Sequence, residues 1–166
     1  MTKEEFVKKI YAAAVRIGEI DPLFVTAQAA LESGWGANAI GTYNIFGITK
    51  GSWTGDTELV PTTEYFNRPD ITFKSPECVL SVEKVGSNRY KYKVKRLFRK
   101  YNSYDECLAD HLAILKKPGY ADAWEYRKDP YKFAEKISDH VGARYATATD
   151  YVKVMHSMIN SVKRRL

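Results

Sequence analysis

The feature that most constrains how this chain can fold is a short apolar segment, residues 21–36, that carries its own start and stop signals. Asp21 can accept hydrogen bonds from free backbone N–H groups, and Pro22 suits the first helical position, where no amide hydrogen is needed. The residues that follow are mostly small and apolar, so the predicted helix is slim enough to be buried on several sides. Gly34 can adopt the left-handed conformation that ends a helix. The segment therefore predicts a buried central helix.

A glutamate in the last turn of that apolar helix is its unusual feature. Glu32 faces the negative end of the helix dipole, and Leu31 and Trp35 are expected to limit its contact with water. Both effects disfavour the ionised form, so we expect a raised pKa. A carboxyl group that is protonated near neutral pH is what a general acid requires. The alternative is an ordinary solvated glutamate at a helix end, which is the common case for glutamates in general.

The rest of the chain is expected to form more helices around a small sheet. Thr2 to Glu5 is a capping box that starts a helix ending at Gly18. Residues 58–66, 79–85 and 89–95 favour strands, and residues 86–88 favour a turn. Further helices are predicted from residue 103, over residues 120–126, after residue 129 and from about residue 150. The residues of the last helix that we expect to face inward are Tyr151, Val154, Met155, Met158, Ile159 and Val162.

The third predicted strand alternates basic residues with aromatic and apolar ones. Its basic face would carry Arg89, Lys91, Lys93 and Lys95, opposite Tyr90, Tyr92 and Val94. Interleaved aromatic and basic residues can bind single-stranded nucleic acid. A half-buried strand with a solvated charged face produces the same pattern and is the more common structure.

Several motifs, taken in order, point to a known family. The most specific is Ala-Gln-Ala-Ala-Leu-Glu-Ser-Gly-Trp-Gly at positions 27–36. The others are Asn-Ile-Phe-Gly-Ile at 44–48, Thr-Glu-Tyr at 63–65, Phe-Arg-Lys-Tyr-Asn-Ser at 98–103, Asp-His at 110–111 and Tyr-Ala-Thr at 145–147. Together they resemble glycoside hydrolase family 73, the lysozyme-like glucosaminidase domains of autolysins, flagellar peptidoglycan hydrolases and phage lysins. The resemblance implies an α+β, mainly α fold: a lysozyme-like helical domain with a small inserted β-lobe, over about residues 56–100, that flanks the substrate cleft.

The resemblance also implies which residues form the active site. Glu32 would be the general acid, and Glu64 would activate water or stabilise the oxocarbenium-like centre, unless it is a solvated strand glutamate. Tyr145 corresponds to the family's cleft tyrosine, although Arg144 precedes it where glycine is commoner and residues 148–149 replace the usual Asp-Pro. The residues that we predict to bind substrate are Trp35, Asn44, Phe46, Gly47, Trp53, Tyr120 and Tyr151. For Trp35, Phe46 and Trp53, simple core packing is at least as good an interpretation. The resemblance favours Asn44 and Phe46 as parts of the cleft wall.

The implied reaction is cleavage of the β-1,4 bond between N-acetylglucosamine and N-acetylmuramic acid in peptidoglycan. We expect no metal and no organic cofactor, because the three histidines lie in separate segments and acid–base chemistry suffices. One alternative is an N-acetylmuramidase on the same scaffold, and another is a non-catalytic basic module that binds wall polymers or nucleic acid. The stereochemical course stays open, because it depends on the distance between two carboxyl groups.

Bulk properties are consistent with a wall-directed single domain over residues 1–166. The 26 basic and 20 acidic residues give a net charge of +6, which favours an anionic partner. No apolar run approaches the roughly 20 residues that a membrane span needs, and no signal-peptide segment begins the chain. We therefore expect a monomer that binds peptidoglycan glycan strands, not nucleic acid or membrane, as a phage lysin or an excised domain of an exported protein. Cys78 and Cys107 are expected to be unpaired, partly buried thiols, with a disulfide as the alternative.

Overall fold

Helices dominate the structure, and a three-stranded sheet is inserted between the second and third of them. The structure is a computed structural model that describes residues 1–138 and 148–166. Its helices are α1 Lys3–Ile17, α2 Pro22–Ser33, α3 Tyr104–Leu115, α4 Ala121–Trp124, α5 Pro130–Ile137 and α6 Ala148–Arg164, with a 3-10 turn at Pro118–Tyr120. The strands are β1 Thr57–Phe66, β2 Cys78–Gly86 and β3 Arg89–Arg99. The expected mainly helical α+β architecture with a small inserted β-lobe is confirmed.

The ends of the first two helices follow the predicted capping chemistry. Thr2 and Glu5 form the reciprocal capping box of α1. The Asp21 side chain accepts a hydrogen bond from the backbone N–H of Leu23 at 2.8 Å, and Pro22 takes the first helical position of α2. Gly34 closes α2 in the left-handed conformation, with φ of 56°. Local sequence therefore determines where α2 begins and ends.

The central helix α2 is buried by α1, α5 and α6, which pack around it. All residues from Phe24 to Ala30 are buried, including Thr26 and Gln28. The ring of Phe24 meets the ring of Phe133 on α5 edge to face, with centroids 4.6 Å apart. Burying side chains of this size contributes roughly 1.5–3 kcal/mol each, so the position of α2 in the core is strongly specified.

The sheet is antiparallel with strand order β1–β3–β2. On β3 the side chains of Tyr92 and Val94 are fully buried. Lys93, which lies between them, and Lys95, which follows Val94, are exposed. The connection between β1 and β2 covers the buried side: Tyr92 donates a hydrogen bond to the carbonyl of Arg68, and its ring lies edge to face with Phe66. The alternation predicted for β3 is confirmed.

Three local expectations are wrong. The short helix predicted over residues 120–126 is reduced to α4, which follows the 3-10 turn that Pro118 starts. Val154 of α6, predicted to face inward, is 37% exposed, because Tyr151 and Met155 already occupy the helix face that meets the core. Cys78 is exposed on an edge strand, although Cys107 is buried, and both thiols are unpaired.

Neither a membrane-spanning segment nor a clustered metal site is found in residues 1–138 and 148–166. Each helix in these ranges is too short or too polar to cross a bilayer. In the same ranges, no three histidine, cysteine, aspartate or glutamate side chains come together as metal ligands would.

Candidate active site

Glu32 lines an open groove next to the end of α2. It is half-buried, and the residue after it, Ser33, fixes the helix end: its hydroxyl donates to the carbonyl of Ala29 at 2.6 Å and accepts from the N–H of Gly36 at 2.9 Å. The groove has a volume of about 160 Å³. The described residues that line it are Gln28, Glu32, Phe46, Ile48, His111 and Ile114. The apolar part of this lining comes from the 44–48 loop and α3, and not from Leu31 and Trp35 as expected.

Asn44 holds the loop that carries Phe46. Its side chain is fully buried, and its Nδ2 donates to the carbonyls of Ile48 and Arg99, both at 2.9 Å. Its Oδ1 accepts from the N–H of Ile48 at 3.0 Å. Gly47, with φ of 61°, supplies the left-handed turn that this loop needs. Because the Asn44 amide is engaged on both of its ends, a contact between Asn44 and a substrate acetamido group stays a prediction.

A buried ion pair anchors the same loop to α3. The Arg99 guanidinium donates from Nη1 to Oδ2 of Asp110 at 2.8 Å and from Nε to the carbonyl of Thr49 at 2.9 Å. The Tyr101 hydroxyl donates to the same Asp110 oxygen at 2.5 Å. Burial and the neighbouring carboxylate of Asp110 raise the pKa of Tyr101 well above its ordinary value. The groove wall is therefore fixed by a satisfied polar network.

His111 forms part of the groove, which sequence reasoning did not foresee. Its ring is stacked on the ring of Phe46, with centroids 3.8 Å apart and planes inclined by 10°. Burial lowers the pKa of His111 to about 4, against a smaller opposing effect of the Asp110 charge. The imidazole is therefore neutral at neutral pH. The only sequence signal for this role was the Asp-His pair at 110–111, since a lone histidine on a helix is most often structural.

Glu64, the predicted second carboxylate, is held on β1 by an arginine. Its Oε1 accepts from Nη1 of Arg96 at 2.7 Å, and Nε of Arg96 donates to Oε2 of Glu77 at 2.6 Å. Although burial opposes it, hydrogen bonds from the Leu97 N–H and from Arg96 hold the pKa of Glu77 below its usual range. Glu64 is not among the described residues that line the groove of Glu32. Its catalytic role stays a prediction.

The two predicted tryptophans contact other parts of the core. Trp35 packs edge to face against Phe6, with centroids 6.2 Å apart, and the cationic groups of Lys3 and Arg165 lie 5.2 Å and 5.1 Å from its ring. Trp53 packs against Tyr101 at 5.5 Å, and its indole N–H donates to the carbonyl of Asp56 at 2.9 Å. Substrate contacts of both tryptophans stay predictions.

The predicted tyrosines differ in how the structure places them. Tyr120 ends the 3-10 turn and is half-buried against the core, and Tyr151 of α6 is fully buried. Tyr145 lies outside the described residues. The structure thus brings together Glu32, Phe46 and the unforeseen His111, and the substrate contacts of Tyr120 and Tyr151 stay predictions.

A comparison with protein families decides what kind of domain this is. A family model described as mannosyl-glycoprotein endo-beta-N-acetylglucosaminidase matches residues 8–164. The chain belongs to this glucosaminidase family. The match includes Glu32 and the 44–48 loop, and it confirms the resemblance to glycoside hydrolase family 73. As a member of the glucosaminidase family, the chain is a glycoside hydrolase domain.

Several relatives of the glucosaminidase domain are much longer proteins. The chain is 30% identical to an autolysin of Enterococcus faecalis, over 95% of the chain and 20% of the autolysin. It is 34% identical to the peptidoglycan hydrolase FlgJ of Escherichia coli strain K12, over 84% of the chain and 39% of FlgJ. It is 28% identical to a probable N-acetylmuramidase of Lactococcus lactis, over 96% of the chain and 33% of that protein. The glucosaminidase domain thus spans between a fifth and two fifths of the length of these relatives.

Solved structures confirm the fold of the glucosaminidase domain. The glycoside hydrolase domain of Salmonella typhimurium FlgJ, truncated at its C-terminus, superposes with a TM-score of 0.67 and 28% identity, covering 98% of this chain and 99% of that one. A mutant peptidoglycan hydrolase of Sphingomonas sp. A1 gives a TM-score of 0.69 at 24% identity, covering 98% of this chain and 97% of that one. The second likeness shows the fold alone.

Proposed function

We propose that this domain hydrolyses β-1,4 glycosidic bonds of bacterial peptidoglycan, with Glu32 as the general acid. The observation that carries the proposal is the placement of Glu32, half-buried on an open groove at the fixed end of α2. The names of the relatives, autolysin and peptidoglycan hydrolase, favour peptidoglycan as the substrate. A glycan strand in the groove would place its glycosidic oxygen against the carboxyl group of Glu32.

Hydrolysis also requires a group that activates water or stabilises the oxocarbenium-like centre. Glu64 is our candidate, because its ion pair with Arg96 fixes its carboxylate on β1, in the lobe that the family places beside the cleft. Tyr145 is our candidate for orienting the water or a substrate acetamido group. If Glu64 is not needed, the acetamido group of the substrate itself would take the second role. Carboxyl separations of roughly 5–5.5 Å would give retention and roughly 6.5–9.5 Å inversion.

Replacement of Glu32 tests the assignment of the acid. Glu32→Gln keeps the size of the side chain but has no acidic proton to transfer, so muropeptide release from purified peptidoglycan should fall about 10²–10⁴-fold. Release is measured by chromatography of the soluble products. The matched control is Glu125→Gln, which removes the same charge from an exposed glutamate after α4 and should retain full activity.

Circular dichroism of both variants shows whether each is folded. A folded Glu32→Gln protein with undiminished release would overturn the assignment of the acid. Glu64→Gln belongs in the same assay, together with Glu64→Asp as a conservative variant. A small loss in Glu64→Gln would assign the second role to the substrate's acetamido group or to another carboxylate.

The bond that is cut distinguishes a glucosaminidase from a muramidase. We infer cleavage on the reducing side of N-acetylglucosamine, in agreement with the family description. The Lactococcus lactis relatives named as probable N-acetylmuramidases keep the other bond as the alternative. Reduction of the products with borohydride, followed by mass spectrometry, identifies which sugar carries the new reducing end.

A further inference from the structure

One face of the β-lobe sheet is open and carries a row of cations. In an antiparallel ladder, residues directly opposite each other point to the same face. Lys93 lies opposite Thr63 of β1 and Ser81 of β2, and Lys95 lies opposite Pro61 and Cys78. All of these side chains are exposed. We call this surface the lysine face and define it by the outward residues of the central strand, Arg89, Lys91, Lys93 and Lys95.

The opposite face of the sheet is already covered by the protein itself. Residues 67–77, which connect β1 to β2, cross it: the Ile71 N–H donates to the Tyr92 hydroxyl at 3.3 Å, and Phe73 packs against Phe66 at 6.2 Å. The Arg96 guanidinium lies 4.6 Å from the Phe73 ring. The two faces therefore differ. Residues 67–77 cover one of them, which forms the core of the lobe, and they do not cover the lysine face.

The charges of the lysine face are not balanced by the neighbouring strands. Glu83 lies opposite Lys91, but the residues opposite Lys93 and Lys95 are all uncharged. Within the described ranges, no carboxylate forms an ion pair with Lys91, Lys93 or Lys95. Lysines at alternate positions of one strand repel one another, and an external anion relieves that repulsion.

We propose that the lysine face binds a polyol-phosphate polymer of the bacterial cell wall. This proposal rests on the proposed function, because hydrolysis of peptidoglycan would place the domain at the cell wall, where such a polymer occurs. Alternate residues of a strand are about 6.8 Å apart, a spacing comparable to that of successive phosphates in an extended phosphodiester chain. Lysine suits this partner, because each ammonium is a point charge on a flexible stem that can follow a mobile polymer.

The same face lacks what a single-stranded nucleic acid requires. Such binding combines basic residues with aromatic rings on which bases stack. Tyr90 and Tyr92 point to the opposite side of the sheet, and Tyr92 is fully buried. Tyr65 lies on the lysine face, but the guanidinium of Arg89 already covers its ring at 4.4 Å. The chemistry of the face therefore fits a polymer of phosphates without bases.

The test compares two double variants that lose the same charge. Lys93→Gln/Lys95→Gln removes two cations of the lysine face, and Lys128→Gln/Lys153→Gln removes two exposed lysines elsewhere. Fluorescence anisotropy measures binding to labelled poly(glycerol phosphate) over a range of salt concentrations. We expect the first variant to bind roughly tenfold more weakly, with a slope of log K against log salt reduced by about 1.4, and the control to bind like the unmodified protein.

Equal binding by all three proteins would overturn the proposal. Binding of an oligo(dT) with the same number of phosphates is the second arm, and affinity equal to that for poly(glycerol phosphate) would also overturn it. Muropeptide release from polymer-free peptidoglycan separates this proposal from the proposed function. Release without polymer binding refutes the lysine face alone, and polymer binding without release refutes the hydrolase alone.

Discussion

At the scale of single residues, the polar side chains that hold the groove wall already form hydrogen bonds and ion pairs within the protein. Asn44 is engaged by the loop it holds, and Asp110 is engaged by Arg99 and Tyr101. His111 is buried and neutral, so it places no positive charge in the groove. A positive charge beside Glu32 would favour loss of the proton that a general acid must keep. The neutral state of His111 is therefore compatible with the proposed role of Glu32 as the general acid.

His111 should make the stability of the domain depend on pH. Its pKa is about 4 in the folded state and near the ordinary 6.5 in the unfolded state, so the unfolded chain binds more protons between these values. The contribution of the neutral His111 imidazole to the free energy of unfolding is present above about pH 6.5 and is lost as the pH falls towards 4. Between pH 7 and 4.5 this amounts to about 2 kcal/mol. Urea unfolding at both pH values should show a smaller difference in His111→Gln than in the unmodified protein.

The control for this prediction is His156→Gln, which removes a half-buried histidine of α6 that does not line the groove. It should retain the full pH difference of the unmodified protein. Each protein is compared with itself at the two pH values. A loss of stability in His111→Gln that is equal at both values therefore does not affect the result. An unchanged difference in His111→Gln would show that other groups cause the acid sensitivity.

At the scale of elements, the sequence predicts best where local chemistry is sufficient. The caps at Thr2, Asp21 and Gly34 lie where the sequence placed them, because a cap depends on a few neighbouring residues. The alternation of β3 also predicted its buried side. The face of α6 was harder, because Val154 is apolar and still exposed. Apolar residues are common on protein surfaces, so periodicity alone cannot exclude this outcome.

Gly34 should be costly to replace at the end of α2. Its φ of 56° is unfavourable for a residue with a Cβ, whereas the exposed Asn38 side chain, whose Nδ2 would lie 2.7 Å from that Cβ, can move aside. Gly34→Ala should therefore lower the free energy of unfolding by about 1–2 kcal/mol. Gly119→Ala is the matched control, since no atom lies within 4 Å of the position that its Cβ would take and its φ is not positive. Urea denaturation measures both, and equal effects would contradict the role of Gly34.

At the scale of the whole molecule, the site depends on contacts that no local pattern reveals. The groove combines α2, the 44–48 loop and α3, and the loop is fixed by Arg99 at the end of β3. The sequence indicated Glu32 through its place in the last turn of an apolar helix, and the family resemblance indicated both Glu32 and Phe46. It did not supply the stacking of His111 on Phe46 or the engagement of Asn44, because both depend on how distant segments meet. These contacts follow from packing, which periodicity and motif spacing do not determine.

The Arg99–Asp110 pair should link the β-lobe to the helices more strongly than a surface ion pair of similar geometry would. Its side chains are 9% and 13% exposed, so Asp110→Asn leaves a largely buried guanidinium without its counter-charge, at a cost of about 3 kcal/mol. Arg16 and Asp105 form a pair with the same 2.8 Å distance, but their side chains are 59% and 43% exposed. Asp105→Asn should therefore cost less than about 1 kcal/mol. Chemical denaturation of both variants tests the contrast.

Asp110 also anchors the loop that carries Phe46, through Arg99. Asp110→Asn should therefore reduce muropeptide release even under conditions where the protein is still folded. Full activity in that variant would show that the loop keeps its position without the ion pair.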